Sequence, residues 1–137
     1  MRRRDLIAAP VALAAGPVAA GDTDRPAGAS LNMSGVGLPV IAGGRLRNYV
    51  FVSLRLHLGG SATPESMRLK EPFLRDALVR AGHRTPFLVA DDWTRLDAAA
   101  LSSSLMRSAA RLAGPGAVVR VEVVSQAPRR RTGVRAG

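Results

Sequence analysis

The sequence predicts a small two-layer α+β domain in which two helices cover one face of a sheet built on two strands, with a possible short extra strand at its N-terminal side. Three observations support this prediction. Residues 49–58 alternate strictly between apolar and other side chains, residues 72–113 hold two apolar stripes with helical spacing, and residues 117–126 form a valine-rich segment. The order strand–helix–helix–strand gives a two-layer domain over residues 48–128, because amphipathic helices bury their apolar stripes against a sheet.

Residues 1–29 are predicted to be an export signal. Arg3 and Arg4 precede Asp5, Leu6 and Ile7, and an alanine-rich apolar run follows. A cationic start, an apolar stretch and a small-residue cleavage site define such a signal, and we expect cleavage near residue 20 or residue 29. The Arg-Arg-Asp-Leu-Ile order resembles the twin-arginine motif, which implies export of a folded protein to the periplasm. An ordinary secretory signal and a disordered basic terminus are the alternatives.

Glycine, proline, alanine and serine are frequent in the segment that follows. Residues 30–47 are therefore predicted to be a flexible linker that contains one short strand at 38–42. Gly43 and Gly44 would end that short strand.

The strand at 49–58 is the strongest single prediction. Its apolar face, which must be covered, holds Val50, Val52, Leu54, Leu56 and Leu58. The opposite face holds Tyr49, Phe51, Ser53, Arg55 and His57. We expect Arg55 to pair across the sheet with Glu122.

Two helices are expected next. Thr63 is placed to cap a short turn over 64–70, and the first long helix is expected to begin near Pro72. Its stripe, which includes Phe73, should face the core, and Gly82 should end it in the left-handed conformation.

Residues 83–95 are expected to form a loop, and a capping box at Thr94–Asp97 would start a second helix that runs to Ala113. In the last strand, Val119, Val121 and Val123 are predicted to share one face, with Val118 on the other. Residues 129–137 are predicted to be a disordered basic tail.

The order of elements is similar to that of the periplasmic domain of the flagellar basal-body-associated (FliL-like) family. The matching segments are the apolar residues 38–41, the tyrosine-led strand 49–54, the proline-started helix 72–78, the helix 96–113 and the strand 118–126. The resemblance implies a non-enzymatic module that assembles with copies of itself or with membrane complexes. It implies no catalytic residues. The family carries a membrane-spanning helix before this domain, where the present chain has a shorter signal-like run.

Net charge and composition restrict the partner. The chain carries a formal charge of +10, and its last nine residues hold four arginines and no acid. Aromatic and basic residues are not interleaved along the sequence, which argues against single-stranded nucleic acid as the partner. Cysteine is absent, so no disulfide can stabilise the fold in an oxidising compartment.

Candidate sites are few. No motif for a nucleophile elbow or a phosphate loop is present, and we expect no catalytic residue, cofactor or metal. A metal site from His83, Asp91 and Asp92 is the weaker interpretation of residues that a solvated turn also explains.

The partner-binding candidates are apolar or basic. Tyr49 and Phe51 share the uncovered strand face. Trp93 is interpreted either as core packing or as a binding anchor. The run Arg129, Arg130 and Arg131 is interpreted as a solvated tail or as a site for an anionic envelope surface.

We therefore expect an exported, non-catalytic module that binds proteins or itself in the periplasm. The alternatives are a small periplasmic hydrolase or binding protein with an unrecognised site, and a basic cytoplasmic module that binds nucleic acid.

Overall fold

The computed structural model describes residues 29–131. The predicted signal residues Arg3, Arg4, Leu6 and Ile7 lie outside the described residues, as do residues 132–137. The elements in chain order are β1 (Ser30–Ala42), β2 (Arg45–Leu58), α1 (Pro64–Arg68), α2 (Glu71–Arg84), β3 (Leu88–Val89), β4 (Asp92–Leu96), α3 (Ala98–Ala113) and β5 (Val118–Pro128).

A three-stranded antiparallel sheet in the order β1-β2-β5 forms one layer, and the predicted α+β class is confirmed. Helix α2 packs on β1, α3 packs on β5, and the two helices contact each other. The small β3–β4 hairpin contacts β2 and β5. All five apolar side chains predicted for the covered face of β2 are buried. The helices and the hairpin therefore cover one face of the sheet and leave the other open.

Strand β1 corrects the prediction of a flexible linker over 30–47 with a strand only at 38–42. The strand covers 13 residues, and its apolar side chains are buried on both sides of a bulge between Met33 and Val36. Gly35 lies in this bulge with φ +64°, a conformation that glycine adopts without strain. The extra residue interrupts the alternation of apolar positions, so the sequence pattern hides a continuous strand.

A two-residue turn joins β1 to β2. Ala42 pairs with Arg45 across the turn, and Gly43 and Gly44 have φ values of +63° and +73°. Two consecutive positive φ angles are typical of a type I′ hairpin turn, and glycine adopts them easily. The two glycines therefore join two long strands into one hairpin.

The start of the helical region agrees with the sequence. Thr63 accepts a hydrogen bond from the amide of Ser66, and the Ser66 hydroxyl accepts one from the amide of Thr63, which completes a capping box before α1. Pro72 lies in the first turn of α2, where its missing N–H removes no helical hydrogen bond.

The predicted helix stop at Gly82 is wrong, because α2 continues to Arg84. Gly82 is buried, and a Cβ added to it would lie 3.3 Å from Cδ2 of Leu38 and 3.5 Å from Cε2 of Phe87. This glycine therefore allows close packing of α2 on β1. Phe73, predicted to face the core, is instead exposed.

The loop predicted over 83–95 contains the β3–β4 hairpin, and the helix cap predicted at Thr94 is one turn too early. Asp97 caps α3 by accepting a hydrogen bond from the amide of Ala100 at 3.1 Å. The side chain of Gln126 bonds the N–H and the carbonyl of Leu96 at 2.7 Å and 3.2 Å. These bonds hold Leu96 in the extended conformation, so the helix cannot begin before it.

The faces predicted for β5 are wrong at its start. Register shifts opposite Ser53/Leu54 and His57/Leu58 leave Val124 and Val119 as the extra residues of two bulges. Val118 is consequently buried, whereas Val119 is exposed. Bulges and charged side chains on an edge strand also discourage pairing with another chain.

Candidate functional site

Asn48 joins three segments of the chain at one end of the sheet. Its side-chain amide donates to the carbonyls of Trp93 at 2.8 Å and Arg130 at 3.1 Å. Its side-chain oxygen accepts from the amides of Tyr49 at 2.9 Å and Arg130 at 3.0 Å. Only 5% of Asn48 is exposed, so these bonds replace solvent for a buried amide. The residue therefore fixes β4 and the residues after β5 to the start of β2.

The beginning of the basic segment after Pro128 is ordered. The amide of Arg129 donates to the carbonyl of Tyr49 at 2.8 Å, and both backbone groups of Arg130 bond Asn48. The prediction that the disordered tail starts at residue 129 is therefore wrong for Arg129 and Arg130. The backbone of both residues is bonded to β2, which fixes where these two residues lie on the surface.

Trp93 is half-buried and packs against the hydrophobic core, which agrees with the core-packing interpretation. The guanidinium carbon of Arg47 lies 4.9 Å from the centroid of its indole ring, a distance that gives a cation–π interaction. The Nε of Arg47 also donates to the carbonyl of Ala42 at 3.0 Å. These two contacts hold the arginine over the ring.

These residues define a surface that we call the basic end, formed by Arg45, Arg47, Arg129, Arg130 and Arg131. It surrounds the turn between β1 and β2 and the end of β5, which lie together because Val50 pairs with Pro128. Among the described residues, no carboxylate forms an ion pair with Arg45, Arg129, Arg130 or Arg131. A cavity of about 260 Å³ at this end is lined by Leu46, Arg47, Asn48, Tyr49, Arg129 and Arg130.

Tyr49 and Phe51 lie side by side on the open face of the sheet, next to the basic end. Phe51 pairs with Gly37 of β1, and its ring covers this glycine, since a Cβ at Gly37 would lie 3.0 Å from Cε1 of the ring. Phe51 is nevertheless 42% exposed to solvent. Tyr49, Phe51, Trp93 and the arginine run thus lie near one end of the sheet, with Tyr49 and Phe51 on its open face and Trp93 in the hairpin on its covered face.

A second polar group crosses the open face farther along the strands. Nε2 of His57 lies 3.0 Å from Oε1 of Glu122 and 3.1 Å from Nη2 of Arg120. A protonated Nε2 donates to Glu122, whereas an unprotonated Nε2 accepts from Arg120. The predicted pairing of Arg55 with Glu122 is confirmed, with an Nη1–Oε1 distance of 3.7 Å. The hydrogen bond from His57, followed by the charges of Arg55 and Arg120, holds the pKa of Glu122 below its ordinary value.

The residues weighed for a metal site have other partners. Nδ1 of His83 lies 2.9 Å from the carbonyl of Val79, and the Asp92 carboxylate accepts from Thr94 and Arg95. The hydrogen bond from the Thr94 hydroxyl is the main cause of a lowered pKa at Asp92. Within residues 29–131, no three histidine or carboxylate side chains converge as metal ligands would.

Sequence reasoning missed Asn48, Arg45 and Arg47 as parts of this surface. A signal for Asn48 was present, because it continues the period of two set by Val50 and Val52 into the covered face. A polar amide at such a position requires hydrogen-bond partners. No comparable signal places Arg45 and Arg47 near Arg129 and Arg130, which are more than 80 residues away in sequence.

Comparisons with protein-family models, with curated proteins and with solved structures find no match for this chain. The similarity to the FliL-like family thus stays an expectation from the order of elements. None of the helices in residues 29–131 has the length and apolar character needed to cross a membrane.

Proposed function

We propose that this protein is a non-catalytic binding module, exported to the periplasm, that holds an acidic segment of a partner protein at its basic end. The observation that carries the proposal is the meeting of Tyr49, Trp93 and the run beginning at Arg129 around one buried residue, Asn48. Tryptophan, tyrosine and arginine are the residue types most enriched at binding hot spots.

The arrangement is suited to recognising carboxylates. Arginine presents several N–H donors in a rigid fork that matches a carboxylate. The backbone of Arg129 and Arg130 is already fixed by hydrogen bonds to β2, so binding orders less of the chain. The aromatic rings beside the arginines supply apolar contact area for the rest of a peptide.

The resemblance to the FliL-like family supports an envelope assembly, such as the flagellar base, as the place to look for the partner. Export by the twin-arginine route is the companion proposal. It predicts that replacing Arg3 and Arg4 with lysine leaves the protein in the cytoplasm, and unchanged secretion would contradict it. Of the two cleavage points, the one near residue 20 keeps Ala29, whose carbonyl accepts a hydrogen bond from the Leu58 amide at 3.0 Å.

A fluorescent peptide of ten glutamates tests the surface directly. We expect R129Q/R130Q/R131Q to weaken peptide binding at low salt by about 10–30-fold, since exposed charge pairs contribute up to about 1 kcal/mol each. The matched control is R68Q/K70Q/R120Q, which removes the same charge from exposed positions elsewhere on the described surface. An equal loss in both variants would show that net charge alone binds the peptide and would overturn the proposal.

Further arms of the experiment separate the alternatives. We expect Tyr49→Ala to weaken peptide binding without changing the net charge. A single-stranded oligonucleotide that binds more tightly than the peptide at the same salt would favour the nucleic-acid alternative. A dimer in sedimentation velocity that Phe51→Ala dissociates would move the binding role to the open sheet face and to self-association.

A further inference from the structure

A groove of about 640 Å³ runs between α2 and α3, away from the basic end of the sheet, and nothing in the proposed function uses it. Its size is in the range of small-molecule sites in proteins. Side chains of both helices line it, together with residues 85–87, which follow α2. The lining contains arginine and serine side chains together with apolar side chains, so a ligand would need both a polar and an apolar part.

The charge of the groove is unbalanced. Among the described residues, four arginines line it, and the only carboxylate in its lining is Asp76. Asp76 already pairs with Arg80 at 3.0 Å. The remaining arginines, Arg84 on α2 and Arg107 and Arg111 on α3, form no ion pair with any carboxylate of the described residues. Within residues 29–131, the groove therefore has three positive charges that no carboxylate pairs with.

Two buried serine hydroxyl groups also point to a bound ligand. Ser104 and Ser108 line the same groove and are only 6% and 5% exposed. Within residues 29–131, neither hydroxyl has a hydrogen-bond partner, although helical serines commonly bond the carbonyl four residues earlier. Buried polar groups without partners are rare in folded proteins, and such groups require an explanation. A bound acceptor in the groove would supply the missing bonds.

The rest of the lining is apolar. Phe73, which is 62% exposed, lies at the groove with Pro86 and Leu112. A large exposed ring beside a charged groove offers contact area for an uncharged part of a ligand. The groove thus offers anion recognition and an apolar contact in one place.

We propose that this groove binds a phosphate monoester of a small organic molecule. The phosphate takes charge-assisted hydrogen bonds from Arg84, Arg107 and Arg111, and it accepts hydrogen bonds from the hydroxyls of Ser104 and Ser108. Arginine matches phosphate geometry through its planar fork of donors. The organic part of the ester lies against Phe73.

Titration calorimetry of the full chain with glycerol 3-phosphate tests the proposal, with inorganic phosphate as the minimal probe. We expect a Kd of about 0.1–1 mM for the ester, in line with the free energy that ligands of this size reach. R107Q/R111Q should raise the Kd by at least about tenfold, because each arginine contributes a hydrogen bond to a charged group. R68Q, an exposed arginine on α1 outside the groove, is the matched control and should leave the Kd unchanged.

The variant S104A/S108A separates ligand binding from helix packing. Removing two buried hydroxyls without partners should raise the Tm of the free protein by about 4 °C. If the hydroxyls bond phosphate, the same variant should raise the Kd of glycerol 3-phosphate about tenfold. A folded S104A/S108A protein that binds like the wild type would overturn the proposal, as would the absence of binding by both phosphate probes and by the vesicles described next.

Vesicles containing phosphatidic acid, whose headgroup is a phosphate monoester, distinguish the source of the phosphate. Binding of the free ester that S104A/S108A weakens assigns the groove to a soluble metabolite. Binding to vesicles alone, weakened by the same variant, assigns it to a lipid headgroup. The variant R129Q/R130Q/R131Q leaves the groove intact and should bind glycerol 3-phosphate normally. Failure at the groove is therefore distinguishable from failure of the proposed function at the basic end.

Discussion

The two faces of the central strand β2 show how one sequence pattern serves two different tasks. On the covered face, Leu54 and its apolar neighbours are buried under the helices and the hairpin. On the open face, Phe51, Arg55 and His57 remain partly exposed. Phe51 covers Gly37 of β1, and both Arg55 and His57 contact Glu122 of β5. The alternating pattern allows the covered face to carry most of the stability and leaves polar and aromatic side chains on the open face.

The largest expected effect concerns the covered face. Leu54→Ala should lower the free energy of unfolding by about 2–5 kcal/mol, because it removes buried apolar atoms and leaves a cavity in the core. Chemical denaturation with urea measures this change. The matched control is Ser53→Ala on the open face, which should change stability by less than about 0.5 kcal/mol. Similar losses in both variants would contradict the division between the faces.

An intermediate effect is expected at Asn48, where the covered face meets the basic end. Asn48→Ala removes four hydrogen bonds and should cost about 2–3 kcal/mol, since several backbone groups lose their partner. Hydrogen exchange at the Arg130 amide should become faster, because its acceptor is lost.

Asn32→Ala on the exposed side of β1 is the control for that experiment, and it should change stability by less than about 0.5 kcal/mol. Unchanged exchange at Arg130 in the Asn48 variant would show that the residue does not hold the basic segment.

The smallest effect is expected on the open face and depends on pH. The lowered pKa of Glu122 means that its stabilising contribution is present above its ordinary pKa of 4.5 and is lost as the pH falls through the folded-state pKa. Glu122→Gln should therefore lose less stability than the wild type between pH 6 and pH 3. Thermal unfolding across that range measures the difference.

Glu65→Gln provides the control for the pH experiment, because Glu65 is exposed and forms no ion pair with the described residues. Its pH profile should match that of the wild type. A Glu122 variant with the same profile as the wild type would contradict the assignment.

Local signals in the sequence predicted much of the fold. The covered face of β2, the capping box at Thr63, the start of α2 near Pro72 and the pairing of Arg55 with Glu122 agree with the structure. Each of these depends on residues a few positions apart or on a simple period. The errors at β1 and β5 arise because a bulge interrupts the alternation of buried and exposed side chains. The error at Gly82 arises because this glycine serves close packing on β1 and not the end of a helix.

The candidate site was predictable only in its parts. Tyr49, Phe51, Trp93 and the arginine run were singled out for their chemistry, but their meeting at one place was not predicted. The hydrogen bonds of Asn48 bring Tyr49, Trp93 and Arg130 together, although Arg130 is 82 residues away in sequence. Arg47 and Trp93, a basic and an aromatic residue that are distant in sequence, contact each other in space.

By itself, the sequence determined the α+β class, the buried face of β2 and the positions of the two long helices, because periodicity and capping are local properties of the chain. The tertiary structure alone decided the third strand, the hairpin before α3, and which arginines lie beside which aromatic rings. Those features depend on strand register, on bulges and on long-range hydrogen bonds, which form only when distant segments pack against one another.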